Sequence, residues 1–454
     1  MQREKLGSRL GFILLSAGCA IGIGNVWKFP YITGQNGGGI FVLVYLFFLL
    51  SMGLPVMTME FSLGRASQKS PVKMYQEVEK KGQKWHFHGW MCLIGNILLM
   101  MCYCTLTGWM VQYFVDMARG VFVGMDPAGI AAQFSAMTSS TGGMTFYTLL
   151  VVAMAAVICS FSLQGGLERI TKWMMMALLV IMVFLAVYSC TLPGASEGLK
   201  FYLLPSWQRF TEAGIGNVIV AAMNQSFFTL SLGIGAMAIF GSYLKKDRTL
   251  LGEAINVGIL DTFVAFTAGL IIFPACFAHN VQPDSGPGLV FHTLPNIFAH
   301  MAGGRILGSL FFLFMSFAAL STVFAVFENI VACLRDLTGW ERKKTSLITG
   351  IGLGALSMPC VLGFTVLKNV TILGLSIMDF EDFLVNNLML PLGSLILVLF
   401  CVSRKGWGWD KFTAEANTGK GARVQKWMRV YMTYVLPLMI GTVFIIGIYN
   451  FITK

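Results

Sequence analysis

The residues best suited to chemistry lie in the middle of the first apolar segment, where residues 18–30 read GCAIGIGNVWKFP. Three glycines, an asparagine, a lysine and a proline do not favour a regular helix across a bilayer. Peptide groups freed there need other partners, because irregular backbone at membrane depth persists only where it is buried in protein or lines a polar cavity. Ions and a small polar substrate can be those partners. The alternative is that the glycines only let neighbouring helices pack closely.

A second interrupted segment favours binding over close packing. Residues 227–235 read FFTLSLGIG and break a later apolar segment in a similar way. Two broken helices, each opening half of a ten-helix set, are the best sequence indication of a transporter site. We therefore expect both helices to be discontinuous near the bilayer midplane.

The composition is that of a polytopic membrane protein. The chain has 454 residues, of which 56% are apolar and 12% are charged, and its mean hydropathy is +0.72. These values exclude a soluble globule. The formal net charge of +11 could indicate nucleic-acid binding, but lysine and arginine collect in the cytoplasmic loops of membrane proteins. We expect no nucleic-acid partner.

Eleven apolar segments are long enough to span a bilayer. The two breaks fall in the first and the sixth, five spans apart and therefore opposite in orientation. This layout predicts an all-α membrane protein with eleven transmembrane helices, built as two inverted five-helix repeats (about 10–190 and 215–401) and an eleventh helix, 428–454. The segments are 10–33, 39–64, 88–120, 144–162, 166–190, 215–242, 250–278, 303–336, 345–364, 371–401 and 428–452.

The charge distribution predicts the orientation in a cell inner (plasma) membrane. With residues 1–9 and the loop 402–427 in the cytoplasm, the inside loops hold 25 of the 32 basic residues. An odd number of spans then places the C-terminus on the extracellular or periplasmic side. On that side, the loop from His279 to Gly304 has an apolar patch from Leu289 to His300. We expect it to fold back over the outer mouth; a disordered connector is the alternative.

Eight short motifs occur in a specific order and spacing over nearly the whole chain. They are Arg9-Leu10-Gly11, Gly22-Ile23-Gly24-Asn25, Lys28-Phe29-Pro30, Asn36-Gly37-Gly38-Gly39, Gly53-Leu54-Pro55 to Glu60, Phe227 to Gly235, Ala318 to Thr322 and Met378-Asp379-Phe380. Together they resemble the neurotransmitter:sodium symporter family, in particular its bacterial transporters of tyrosine and hydrophobic amino acids. The resemblance implies the inverted-repeat (LeuT) fold and sodium-driven uptake of an amino acid.

The resemblance also implies two sodium sites. One would use the carbonyls of Gly18, Ile21 and Ala318 with the hydroxyls of Ser321 and Thr322. Neutral oxygens of this kind suit a hard, weakly charged cation. Relatives commonly have Thr-Ser or Asp-Ser where this chain has Ser-Thr, and both hydroxyls remain, so we expect the site to survive.

The second sodium would contact the Ala20 carbonyl, the side chains of Asn25, Thr229 and Asp261, and the carboxylate of the substrate. A substrate that supplies a ligand to the ion couples the two binding events, so each raises the affinity for the other by the same factor.

Asp261 is the most informative departure from the family pattern. Many relatives have asparagine there and require chloride, and others carry an acid one turn further on, where this chain has Ala265. Two sodium ions and a zwitterion leave two uncompensated positive charges in a low-dielectric pocket. Asp261, expected near Tyr45, Gln225 and Thr229, can supply a negative charge, so we expect chloride-independent transport. The alternative is a carboxylate satisfied by neighbouring hydroxyls alone.

The implied substrate site uses the same breaks. The N–H groups of Ile23 and Gly24, with the Tyr103 hydroxyl, would hold a carboxylate. Gly22 leaves room for it where monoamine-binding relatives have aspartate. The ammonium would be held by the carbonyls of Ala20, Phe228 and Thr229 and by the Ser231 hydroxyl. The side-chain pocket is uncharged, which favours a hydrophobic or aromatic amino acid; it is lined by Cys19, Leu99, Tyr103, Phe228, Ile234, Thr322 and Val326.

Two gates complete the implied site. On the outside, Lys28 and Asp379 resemble the ion pair that closes above the substrate, with Tyr103 and Phe228 as an aromatic lid. Lysine replaces the commoner arginine and loses its bidentate fork, which predicts a looser gate. On the inside, Arg3 and Asp336 match the cytoplasmic pair, with Tyr243 and Glu328 close by.

Three other classes of function remain for comparison. A membrane amino-acid sensor on the same scaffold usually carries a long cytoplasmic extension, and the tails here are short. A transporter of a small neutral amino acid is compatible with the same motifs. An enzyme finds no support, because no nucleophile, base and oxyanion group share a plausible cleft. The ten cysteines contain no Cys-x-x-Cys pair and are expected to be core residues.

Overall fold

The computed structural model describes residues 4–279, 281, 288–301 and 303–452. Over that part the chain folds mostly into helices, which surround the two interrupted segments. The main helices are α1 (Arg9–Ala20), α2 (Gly24–Gln35), α3 (Gly39–Ser67), α4 (Pro71–Val78), α5 (His86–Arg119), α6 (Pro127–Ser139), α7 (Thr141–Ser160), α8 (Gln164–Cys190), α9 (Ala195–Leu203), α10 (Trp207–Glu212), α11 (Ile215–Thr229), α12 (Ala236–Ser242), α13 (Leu250–Ala278), α14 (Leu294–His300), α15 (Gly304–Thr338), α16 (Arg342–Leu362), α17 (Ile377–Val402), α18 (Trp409–Ala416) and α19 (Met428–Tyr449).

Helix α1 stops in the middle of the first apolar segment. Its N-terminus is capped by Ser8, whose hydroxyl accepts a hydrogen bond from the Gly11 N–H at 2.9 Å. At its other end Ile21 is extended, with φ −73° and ψ 93°. The chain resumes as α2 at an angle of 57° to α1. The predicted break in the first segment is therefore confirmed.

The break between α11 and α12 is longer. Residues 230–235 are not helical, and Ser231, Gly233 and Gly235 have φ values of 51°, 93° and 72°. Only glycine adopts such values readily. At Gly233 a methyl group would lie 2.2 Å from the Leu390 carbonyl oxygen, so a side chain has no room there. The second predicted break is confirmed as well.

The number of membrane spans agrees with the prediction only in part. Among the described residues, nine helices are long and apolar enough to cross a membrane, and α1 with α2 adds one bent pair. The predicted sixth segment consists of α11 and α12, which are shorter pieces on either side of a six-residue break. The tenth predicted segment starts at residue 377 rather than 371. The count of eleven stays a prediction.

The long helices α5 and α15 pack along each other and support the interrupted segments. Helix α15 also contacts α1, and α13 contacts both α1 and α2. All ten cysteines are free; nine are buried and Cys190 is half-buried, so the expectation of core cysteines is confirmed.

Residues 289–300 fold back over one end of the bundle, as expected from their apolar patch. The ring of Phe291 is buried against Trp27, Trp109 and Tyr113, with centroid distances of 5.9, 5.7 and 5.0 Å. The Tyr113 hydroxyl donates to the Phe291 carbonyl at 3.0 Å. We call this end the vestibule face and the other end, where residues 4–8 lie, the N-terminal face.

Candidate functional site

The first candidate cation site lies where the end of α1 meets α15. The Ser321 hydroxyl oxygen is 2.9, 3.4 and 2.8 Å from the carbonyl oxygens of Gly18, Ile21 and Ala318. The Thr322 hydroxyl is 3.2 Å from the Gly18 carbonyl and 3.3 Å from that of Ile21. Each hydroxyl has one proton, so the two cannot satisfy all these acceptors. The five residues of the predicted site form one buried cluster of oxygens with too few donors, which is the chemistry a hard cation fits.

The second candidate cation site lies between α2, α11 and α13. The Asn25 amide nitrogen donates to the Asp261 carboxylate at 2.8 Å, and the Thr229 hydroxyl donates to the same carboxylate at 3.1 Å. The Tyr45 hydroxyl lies beside Asp261 and Thr229. All of these side chains are buried. The amide oxygens of Asn25 and Gln225 are buried and have no hydrogen-bond partner among the described residues, so acceptors remain for a cation.

The break after α1 presents one freed N–H group to the interior. The Ile23 N–H donates to the Tyr103 hydroxyl at 2.7 Å. A methyl group at Gly22 would lie 2.2 Å from the Tyr103 hydroxyl oxygen and 2.6 Å from the Thr322 hydroxyl oxygen. The absence of a side chain at Gly22 therefore lets the backbone approach both hydroxyls.

A small cavity of about 20 Å³ joins the two breaks. This volume holds about one water molecule. Cys19 and Val326, which were predicted to line the substrate pocket, are buried but lie outside this lining. The cavity is lined by Ala20, Gly24, Leu99, Tyr103, Phe228, Ser231, Ile234, Thr322, Val385, Asn386 and Leu390.

A larger cavity of about 340 Å³ lies above it, toward the vestibule face. Leu99, Tyr103 and Phe228 line both cavities and so separate them. Phe228 packs on Gly24, where a methyl group would lie 2.7 Å from its ring. The two aromatic residues predicted as a lid are thus located between the two cavities.

The predicted outer gate residues share the larger cavity without forming an ion pair. The Lys28 ammonium lies 3.8 Å from the centre of the Phe228 ring, a cation–π contact. The Asp379 carboxylate accepts from the Ser376 hydroxyl at 2.7 Å. Both residues line the larger cavity, so they can pair only if it narrows. The gate itself stays a prediction.

Comparison with known proteins identifies the class of this site. The model of the sodium:neurotransmitter symporter family matches residues 3–121 and 130–454. The chain belongs to the sodium:neurotransmitter symporter family. It is 33% identical to an uncharacterized sodium-dependent transporter of Bacillus subtilis over 98% of both chains. It is 29% identical to the sodium-dependent serotonin transporter of Drosophila melanogaster, over 99% of this chain and 77% of that protein.

A solved structure shares the fold of this family member. The crystal structure of MhsT in complex with L-phenylalanine is 37% identical in sequence and superposes with a TM-score of 0.87, over 98% of this chain and 99% of that one. The chain is therefore a sodium-coupled membrane transporter with the LeuT fold and not an enzyme. Its substrate is a small molecule.

Two residues that hold the symporter's second break together, Glu60 and Asn96, were not assigned a role from the sequence. The Glu60 carboxylate accepts from the N–H groups of Gly233 at 2.6 Å and Met237 at 3.0 Å. The Asn96 amide donates to the Ile234 carbonyl at 2.7 Å. A carboxylate inside an apolar segment is a signal that could have identified Glu60; Asn96 carried no comparable signal.

The residues of α17 that line the small cavity were also missed. Val385, Asn386 and Leu390 lie in and directly after a widened turn at Leu384–Met389. A turn of this kind is common at functional sites, but the sequence pattern does not indicate it.

A charged cluster closes the N-terminal face of the symporter. The Glu328 carboxylate is 1% exposed; it accepts from the Tyr243 hydroxyl at 2.8 Å and pairs with both terminal nitrogens of Arg342. Glu4 bridges Arg342 and Arg335 at 3.3 and 2.9 Å. Tyr243 and Glu328 are therefore brought together, as expected. Arg3 lies outside the described residues; Asp336, its predicted partner, accepts from the Ser70 N–H at 2.7 Å.

The pKa of Glu4 reflects this cluster. Burial acts to raise the pKa of its carboxyl, but the charges of Arg342 and Arg335 and the Leu163 N–H outweigh burial, so the pKa lies below its usual range. Glu4 is therefore ionised at neutral pH and ties the N-terminal segment to α15 and α16.

Replacing Glu328 with alanine is expected to loosen the N-terminal face. The change leaves Arg342 largely buried without its main partner, and removing one member of a buried ion pair costs about 3–5 kcal/mol. Hydrogen–deuterium exchange should rise by at least about tenfold in residues 4–12. Glu341→Ala, an exposed neighbour of Arg342, should leave exchange unchanged. Equal exchange in both variants would show that the cluster does not hold this segment.

Proposed function

We propose that this family member is a symporter that uses a sodium gradient to take up a hydrophobic or aromatic L-amino acid by alternating access. The observation that carries the proposal is the convergence of carbonyl and hydroxyl oxygens at the break after α1, directly beside an uncharged cavity. A cation and a substrate would supply the partners that the interrupted backbone lacks. The L-phenylalanine in the crystal structure of MhsT supports the substrate class.

The substrate's α-carboxylate would lie against the first break. Gly22 has no side chain there, and the Ile23 N–H with the Tyr103 hydroxyl provides donors for an anion. The ammonium would face the carbonyls of Ala20 and Phe228. An aspartate in place of Gly22 would collide with the Tyr103 hydroxyl, so this arrangement favours an amino acid over a simple amine.

Two sodium ions would bind, one in each oxygen cluster. The ion near Asn25 would also be a neighbour of the substrate carboxylate, so sodium and substrate would raise each other's affinity by an equal factor. The ion held by Ser321 and Thr322 would join α1 to α15 and favour one arrangement of the bundle.

Chloride would not be required, because Asp261 lies inside the second cluster and carries the negative charge that the two cations need. Its carboxylate accepts from Asn25 and Thr229 and has no basic partner among the described ion pairs. These contacts support a charged Asp261 beside a cation.

The N-terminal face would be cytoplasmic. The N-terminal segment and the loops expected on the same side hold 25 of the 32 lysines and arginines of the chain. Lysine and arginine are in excess in the cytoplasmic loops of membrane proteins. The C-terminus would then be extracellular or periplasmic.

Uptake of a small neutral amino acid is a second candidate, favoured by the volume of the small cavity between the breaks, about 20 Å³. A leucine- or phenylalanine-like side chain would need Phe228 or Leu99 to move. The larger cavity above them offers space for such a movement.

Uptake into proteoliposomes tests the proposal. Labelled phenylalanine, tyrosine, leucine, alanine and glycine are presented with an inward sodium gradient and with an equal potassium gradient. We expect sodium-dependent accumulation of the large apolar substrates and little of glycine. Accumulation of alanine or glycine alone would favour the second candidate, and uptake that is equal in potassium would contradict sodium coupling through these sites.

A further inference from the structure

An apolar groove runs along the outside of the bundle between α3 and α13. It encloses about 370 Å³, and apart from Thr262 its lining consists of apolar side chains and one glycine. Leu50 and Ile259 in this lining are 61% and 63% exposed. On α13 the groove extends from Ile255 to Phe266, which is about 16 Å at a rise of about 1.5 Å per residue. The hydrocarbon core of a bilayer is about 30 Å thick, so the groove has the length of an acyl chain in one leaflet.

Four basic residues lie at the end of the groove that is nearer the N-terminal face. They are exposed and follow one another at intervals of three residues: Lys420, Arg423, Lys426 and Arg429. None of the four forms an ion pair with another described residue. The chain contains no acidic residue after Glu415, and Glu415 itself pairs with Arg65 at 2.6 Å. We call residues 420–429 the basic segment.

The basic segment is fixed at the base of α13. The Asn417 amide donates to the Val424 carbonyl at 3.0 Å and accepts from the Val424 N–H at 2.7 Å. A methyl group at Gly252, in the first turn of α13, would lie 3.4 Å from the Ala422 nitrogen. Ile255, where the groove begins, is about one turn further along the same helix. The basic segment therefore lies at the mouth of the groove.

Helix α19 continues from the basic segment along the same part of α3. The Tyr431 hydroxyl donates to the Ser51 carbonyl at 2.8 Å, and Ser51 follows Leu50 of the groove. Trp427, directly before α19, is 70% exposed, and tryptophan is enriched at the boundary between hydrocarbon and headgroups. This arrangement places the basic segment at headgroup level and the groove in the hydrocarbon of the same leaflet.

We propose that the groove and the basic segment together bind one anionic phospholipid. Its acyl chain would fill the groove, and its phosphate-bearing headgroup would pair with Arg423, Lys426 and Arg429. Basic clusters next to a transmembrane helix attract anionic headgroups, and a zwitterionic headgroup adds a cation that this segment repels. The inference does not depend on the identity of the transported substrate. Asp261 is buried on the same part of α13, so the lipid would support the helix that carries the second candidate cation site.

The test is titration of the purified protein in detergent with phospholipids, followed by native mass spectrometry and thermal unfolding. Phosphatidylglycerol should bind at least about tenfold more tightly than phosphatidylcholine with the same acyl chains, since each basic residue near the headgroup contributes about fivefold. It should also raise the unfolding temperature more than phosphatidylcholine does. Inorganic phosphate at the same concentration should not compete, because it has no acyl chain.

Two triple variants test the charges. Replacement of Arg423, Lys426 and Arg429 by glutamine should remove the preference for phosphatidylglycerol. The matched control removes three exposed charges elsewhere on the N-terminal face and should keep the preference: Lys81→Gln, Arg169→Gln and Lys343→Gln.

Ile259→Trp tests the groove. The indole should occupy the groove and weaken binding of both phospholipids by at least about tenfold, because several methylene groups of the acyl chain lose their contact. Ile445→Trp is the control; its position on α19 is 66% exposed and lies outside the groove, so binding should not change. Leu50→Trp is the second variant if Ile259→Trp does not fold.

Several results would overturn the inference. Equal binding of the two lipids by the unaltered protein would do so, as would a preference that survives in the first triple variant or disappears equally in the control. Unchanged binding in both groove variants would mean that charge alone holds the lipid. A lipid-free dimer that Ile259→Trp abolishes would assign the groove to a second copy of the chain. Failure of the proposed function would leave these binding results unaffected.

Discussion

Thr322→Val is expected to raise the sodium concentration for half-maximal uptake by about 10- to 100-fold, since a hydrogen-bonding or coordinating group next to a charge contributes about 1.5–3 kcal/mol. Valine keeps the branched shape of threonine, so α15 should pack as before. The lost hydroxyl is one of two that meet the carbonyls of Gly18 and Ile21. Sodium-dependent uptake and sodium-induced thermal stabilisation should decrease together.

Ser316→Ala is the control for Thr322→Val. Ser316 lies on the same helix and is buried, but its hydroxyl donates within the helix to the Phe312 carbonyl at 2.7 Å. Its removal should leave sodium dependence unaltered. The double variant Ser321→Ala, Thr322→Val should show no sodium-dependent uptake. An unchanged sodium dependence in the double variant would place the cation elsewhere.

Asp261→Asn is expected to convert a chloride-independent transporter into a chloride-dependent one. Two unit charges 4 Å apart in a medium of effective dielectric constant about 20 interact with about 4 kcal/mol, so loss of the carboxylate should greatly weaken cation binding. Asparagine can keep the hydrogen bonds with Asn25 and Thr229 through its oxygen. The variant should therefore fold and lack only the charge.

The measurement compares uptake in chloride with uptake in gluconate. The unaltered protein should transport at rates within about twofold in the two anions. Asp261→Asn should lose at least about 90% of uptake in gluconate and recover part of it in chloride, since an anion could replace the missing charge. Asp116→Asn is the control: it replaces a half-buried acid near the C-terminal end of α5, and its uptake should be the same in chloride and in gluconate. A collapse of uptake by the unaltered protein in gluconate would contradict the role assigned to Asp261.

Much of the site could be predicted because its signals are local. Glycines, an asparagine and a proline inside apolar segments oppose a continuous helix wherever those segments lie, so both breaks followed from the sequence alone. A carboxylate such as Asp261 in an apolar segment is costly unless it has a function. The pairing of Asn25 with Asp261, and of the break after α1 with Ser321 and Thr322, was accessible only through the family pattern, because these contacts join residues more than 200 positions apart.

The tertiary structure decided which distant side chains satisfy the freed backbone. Glu60 holds the second break, Asn386 lines the small cavity and Arg342 pairs with Glu328. It also placed Lys28 over Phe228 rather than against Asp379. None of these partners is set by local preference, because each depends on how long helices pack and rotate against one another. The sequence by itself determined where the backbone must open, since that depends on local peptide solvation; packing decided what the opening contacts.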